Sequence, residues 1–133
     1  MKTAGIITEF NPFHNGHKYI IDKAKREHDA VVVLMSGSFV QRGEAAVTDK
    51  WTRAAAAIRN GADLVIELPV IYALNTAQKF AYGAIETLNK CGIVDDIVFG
   101  SESGNVDELI KAAELLENES QCISEKVKKY MSL

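Results

Sequence analysis

Asn11-Pro12-Phe13-His14-Asn15-Gly16-His17, placed directly after the apolar run Ala4-Gly5-Ile6-Ile7, reads as a strand that turns into a helix. Two of the chain's three histidines fall within it, close around a glycine. A helix starting near Gly16 offers unpaired backbone N–H groups and the positive end of its dipole to an anion. Gly16 has no Cβ, so a nucleotide can come close to the backbone there. His14 and His17 can both donate to phosphate oxygens, and fixed donors aimed at charge that builds during attack on phosphorus lower the barrier. The pattern points to adenylyl transfer. Its plain alternative is a pair of surface histidines in a helix-initiating loop.

Working outward, four apolar, β-branched runs predict strands at Ala4 to Thr8, Ala30 to Met35, Asp63 to Leu68 and Asp96 to Phe99. Helical spacing lies between them: Tyr19, Ile20 and Ala24; Trp51, Ala54, Ala55 and Ile58; Ala77, Phe80, Ala81, Ala84, Ile85 and Leu88; Val106, Leu109, Ile110 and Ala113. Asp49 is a natural N-cap before Trp51, while Gly61 and Gly92 are natural helix stops. Strands alternating with helices predict an α/β fold, a Rossmann-like open parallel sheet with helices on both faces. Ligands of such sheets bind beyond the carboxyl ends of the strands, where strand order reverses. The loops after Thr8, Met35 and Phe99 are therefore the places for a site.

The chain has 133 residues, enough for about one domain. Its 47% hydrophobic and 25% charged residues are those of an ordinary globular protein. No apolar run reaches the roughly 18 residues of a membrane span, and no secretory signal opens the chain. Cys91 and Cys122 lack metal-type spacing, no metal site is evident, and a reduced, cytoplasmic protein is expected. A net charge of −3 argues against a general phosphate-backbone binder. Ser124 to Leu133 is amphipathic and ends without a cap, which suggests the N-terminal portion of something longer.

The loop from Ser36 to Thr48 is long for an α/β connection, and long loops often carry function. In and beside it, Arg42 and Lys50 can meet a carboxylate or phosphates; incidental surface charges are the alternative. Arg53 and Arg59 are expected on the solvent face of their helix, and His28 in solvent beside Glu27 and Asp29. Trp51 and Ala54 to Ala57 are expected to pack on the sheet. Asp63 and Glu67 bracket the third strand without assigned chemistry.

The His-x-Gly-His pattern after a first strand resembles the nucleotidylyltransferase superfamily, whose relatives include class I aminoacyl-tRNA synthetases. Many of its adenylyltransferases enter the motif through Gly-Ser/Thr-Phe-Asp-Pro; this chain has Thr8-Glu9-Phe10-Asn11-Pro12-Phe13. That variant, with Met35-Ser36-Gly37-Ser38-Phe39-Val40-Gln41-Arg42-Gly43-Glu44 and Asp49-Lys50-Trp51, resembles the tRNA(Met) cytidine acetate ligase family along essentially the whole chain. The resemblance implies activation of acetate with ATP to acetyl-adenylate, then acetylation of N4 of the wobble cytidine of elongator tRNA(Met). It implies His14 and His17 as catalytic residues and an ATP site formed by Ile7, Thr8, Glu9, Phe10, Asn11, Pro12, Phe13, His14, Asn15, Gly16 and His17, with Gly100 and Ser101 beside the nucleotide. Arg42 and Lys50 would bind substrate, and Mg²⁺ would accompany ATP.

One departure stands out. The superfamily closes its site with a later Ser/Thr-rich segment ending in arginine, and nothing from Gly100 to Leu133 matches; Ser101-Glu102-Ser103-Gly104 is acidic. A continuation beyond Leu133, which would also make most of the tRNA contacts, is expected. Two other readings stay open: adenylation of a phosphorylated coenzyme precursor, and nucleotide binding without catalysis.

Overall fold

Each of the four apolar runs forms a strand in the computed structural model, which describes residues 1–101 and 104–116. Strands β1 (Thr3–Thr8), β2 (Ala30–Ser36), β3 (Leu64–Leu68) and β4 (Asp96–Ile97) alternate with helices α1 (Asn15–Glu27), α2 (Lys50–Arg59), α3 (Val70–Ala73) and α4 (Ala77–Cys91). Each pairing among these four strands is parallel, and the spatial order is β3-β2-β1-β4. The chain thus steps outward through β2 and β3, then returns to the other side of β1. Strand order reverses between β1 and β4, where the expected crevice lies.

The unbroken apolar run of β2 follows from burial on both faces. Val31, Val33 and Met35 join Ile21, Ala24 and Ala57 in a core beneath α1 and α2. The alternate residues Val32 and Leu34 join Leu68, Ala73, Ala84 and Leu88 beneath α3 and α4. The expected sheet with helices on both faces is what forms. Contacts group Met1–Phe99 into one compact unit and the residues from Gly100 onward into a second, in which residues 106–116 are helical. Cys122, Glu102, Ser103 and the segment from Ser124 to Leu133 lie outside the described residues. None of the described helices is long and apolar enough to cross a membrane.

Cap predictions hold: the Asp49 carboxylate accepts the Thr52 amide, and Gly92 closes α4 at φ 67°. Several side-chain expectations do not. Trp51 is 75% exposed, and α2 instead turns Arg53 and Ala57 inward. Tyr19 and Ile58 are exposed too, because sheet contact selects the neighbouring faces of α1 and α2. His28, expected in solvent, is buried as the C-cap of α1. Its Nδ1 lies 3.0 Å from the Ala24 carbonyl oxygen and its Nε2 2.9 Å from Asp96 Oδ2, fastening α1 to β4. The second strand pair is fastened similarly: Asp63 accepts from Lys25 and from the Val31 amide.

Hydrogen bonding to Lys25 holds the Asp63 carboxyl below its ordinary 3.8, and Lys2, then His28, do the same for Asp96. A carboxyl depressed in the fold stabilises it fully above the unfolded value and loses that contribution as pH falls through the folded value. Urea midpoints are therefore expected to hold above about pH 5 and to fall as the pH drops below about 4, with Asp63→Asn flattening part of the slope.

Candidate active site

β1 delivers the chain to the switch point, and the next residues turn sharply. Phe10 adopts φ 47°, a left-handed conformation that is uncommon for a bulky side chain. Its buried ring makes an edge contact with Phe13 at 4.9 Å and lies 4.7 Å from the His17 ring, so packing holds the strained turn in place. Thr8 Oγ1 accepts the Phe10 amide at 3.3 Å. Ile7 and Thr8 end the strand, Pro12 is exposed on the turn, and Asn15 begins α1.

The two histidines form a capping box. His14 Nδ1 accepts the Gly16 amide at 3.1 Å, and His17 Nδ1 accepts the His14 amide at 3.3 Å. They take the places that Ser/Thr and Glu/Gln fill in the usual box. The rings stack with centroids 3.7 Å apart. Because both Nδ1 atoms accept, each neutral ring carries its proton on Nε2. The motif thereby fixes the tautomer and presents Nε2–H donors at the helix N-terminus. Burial, then the neighbouring His14, lowers the His17 pKa below 6.5, which keeps that ring neutral. Gly16 serves this box directly: a Cβ would stand 3.0 Å from the His14 ring, so its open face is filled by the histidine itself.

Glu9 and Asn11, the two departures from the common entry sequence, have a structural reason. Glu9 Oε1 accepts the Gln41 amide and Asn11 Oδ1 accepts the Val47 amide, each at 2.7 Å. Both side chains tie the long second loop to the first. That loop is folded on itself by bonds between Val40 and Glu44 and between Ala46 and Ser38, with a 3-10 turn at Gln41–Gly43 that contains Arg42.

Arg53 corrects the expectation most. It is 1% exposed, not on the solvent face. Nη1 donates to the carbonyls of Glu9 (2.6 Å) and Ser36 (3.1 Å), Nε to Thr48 (3.1 Å), and Nη2 to Gly37. One guanidinium thus joins the ends of β1 and β2 to the approach to α2. Burial lowers its pKa, while Asp49, Glu9 and Glu67 act in the opposite direction. A signal existed in the sequence: Arg53 and Ala57 share an i, i+4 row on a helix otherwise rich in alanine. Nothing in that row says that four carbonyls converge on it.

Lys50 is paired with Glu67 at 2.6 Å and lies 5.4 Å from the Trp51 ring centroid. Glu67 therefore has a partner that sequence reasoning did not assign. Gly100 and Ser101 belong to the second unit.

The similarities of the chain agree with this architecture. It is 50% identical over 133 residues to the tRNA(Met) cytidine acetate ligase of Clostridium novyi (strain NT), covering 98% of this chain and 33% of that protein. A protein of the same name from Halothermothrix orenii is 50% identical over 134 residues, 99% of this chain and 32% of its own length. The chain spans about a third of the length of these curated relatives. Among solved structures, Thermotoga maritima TmcAL bound with alpha-thio ATP superposes with a TM-score of 0.82 at 46% identity, over 90% of this chain and 29% of that one. A family model described as HIGH Nucleotidyl Transferase matches residues 1–133. With the parallel sheet, the switch point beside β1 and the histidine box, this places the chain in the HIGH nucleotidyl transferase family.

Proposed function

We propose that this chain is the ATP-binding part of an ATP-dependent ligase that forms acetyl-adenylate and passes the acetyl group to N4 of the wobble cytidine of tRNA(Met). The observation that carries the reading is the histidine capping box, with its tautomers fixed and its Nε2–H donors beside the N-terminus of α1. Roughly half-identical relatives named for that activity, and a structural neighbour bound with alpha-thio ATP, support it.

Residues Ile7 to His17 hold ATP in this proposal. An acetate oxygen attacks the α-phosphorus, a new P–O bond forms, and the bond to pyrophosphate breaks with its electron pair leaving on pyrophosphate. His14 and His17 stabilise charge on the phosphate oxygens during this step. Arg42 and Lys50 hold the small carboxylate; Lys50 has N–H donors beyond the one given to Glu67. Mg²⁺ would arrive with the triphosphate and be held mainly by it. A cytoplasmic location fits such a reaction.

The test is a screen of carboxylate and phosphate acceptors with the full-length protein carrying this chain. Acetate is expected to support ATP–pyrophosphate exchange, whereas phosphopantetheine and nicotinamide mononucleotide are not. Turnover of either phosphorylated precursor without acetate-dependent exchange would replace the ligase with a coenzyme adenylyltransferase. ATP binding without exchange would leave only a nucleotide-binding module.

A further inference from the structure

A cleft of about 220 Å³ opens at the carboxyl edge of β2 and β3, lined by Gly37, Ser38, Phe39, Glu67, Val70 and Ala73. It is smaller than the roughly 300–1,000 Å³ that holds a drug-sized ligand, and so suits a single ring. Its chemistry is sparse and directional. Lys50 takes Glu67 Oε2, leaving Oε1 without a hydrogen-bond partner among the described residues. Oε1 rests over Gly37 so closely that a Cβ there would stand 2.1 Å from it. Gly37 therefore makes room for this carboxylate. Phe39 is 45% exposed on the cleft, available as a stacking surface.

The cleft adjoins the proposed nucleotide site. The guanidinium that receives the Gly37 carbonyl on Nη2 receives the Glu9 carbonyl on Nη1. Glu9 opens the loop that leads into the histidine box, so one planar group holds the two regions side by side.

We infer that this cleft receives the acceptor base, a cytosine turned out of its RNA strand, with its ring against Phe39 and its exocyclic amine donating to Glu67 Oε1. This assignment rests on the ligase reading above. RNA bases read in single-stranded loops are splayed out and stacked on aromatic side chains. A carboxylate oxygen accepts from cytosine N4, whereas uracil presents an acceptor oxygen at that position. Glu67 thus selects the amine-bearing pyrimidine and places its nitrogen for reaction. In the transfer step, N4 forms a bond to the acetyl carbonyl carbon. The bond from that carbon to the AMP phosphate oxygen breaks, its electron pair leaves with AMP, and one N4 proton passes to Glu67.

Two readouts on the full-length protein test the cleft separately from the ligase activity. The first is a photocross-link from 5-bromocytidine at the wobble position of tRNA(Met), expected on the peptide that contains Phe39. The second is the ratio of acetyl transfer to acetate-dependent exchange, expected to fall at least ~100-fold in Glu67→Gln, which keeps an acceptor but loses the base. Exchange with a cross-link elsewhere, or a Glu67→Gln ratio equal to wild type, overturns the cleft and leaves the ligase standing. A Phe39 cross-link in a protein without exchange supports the cleft and removes the ligase reading.

Discussion

His17→Ala is expected to lower acetate-dependent ATP–pyrophosphate exchange by about 10²–10³-fold in the full-length protein, the effect of losing one fixed donor to a developing oxyanion. Two losses combine in that variant. The Nε2–H donor disappears, and so does the Nδ1 atom that accepts the His14 amide. His17→Gln separates them, because glutamine at this position of a capping box can still accept the backbone amide. Its thermal stability is expected close to wild type while exchange stays low. The deficit should fall on kcat more than on the KM for ATP, since the donor acts on charge that grows during attack. Exchange at the wild-type rate in His17→Ala would remove His17 from the chemistry.

Arg53→Ala is expected to destabilise the fold by about 3 kcal/mol, because each of the two fully buried acceptors left without a donor loses about 1–3 kcal/mol. Four carbonyls lose their partner at once, two of them in the buried contacts at Ser36 and Gly37. Arg53→Lys is expected to recover only part of the loss. An ammonium carries its donors on one atom and cannot reach carbonyls on opposite sides of a planar fork. Urea denaturation measures both variants, and a loss below about 1 kcal/mol for Arg53→Ala would show that the loops hold together without the clamp. The same substitution loosens the histidine loop, leaving the Glu9–Gln41 and Asn11–Val47 bonds to hold it to the second loop, so ATP affinity is expected to fall with stability.

The layered architecture was legible because burial on a parallel sheet imposes a local pattern. Val31 to Met35 reads as apolar throughout since both of its faces are covered, and Asp49 and Gly92 mark helix ends by short-range backbone chemistry. The location of the histidine loop followed from the same logic. Its internal geometry did not: that each imidazole would spend Nδ1 on the backbone depends on the path of the turn at Phe10.

Periodicity also misjudged which side of a helix is buried. Trp51 and Ile58 satisfy helical spacing as well as Arg53 and Ala57 do, yet the sheet edge admits the second pair. His28 looked like a solvated helix end until Asp96, distant in sequence, supplied its partner.

By itself, then, the sequence determined the succession of the four strands with α1, α2 and α4, the helix ends at Asp49 and Gly92, and the placement of a His-x-Gly-His loop beyond the first strand. These rest on propensity and pattern within a few residues. Only the tertiary structure decided that Arg53 binds carbonyls from the ends of β1 and β2 and that Glu67 faces Gly37 beside an open cleft. Hydrogen-bond partners separated by many residues are brought together by the sheet, and no local spacing encodes which carbonyl a buried charge will meet.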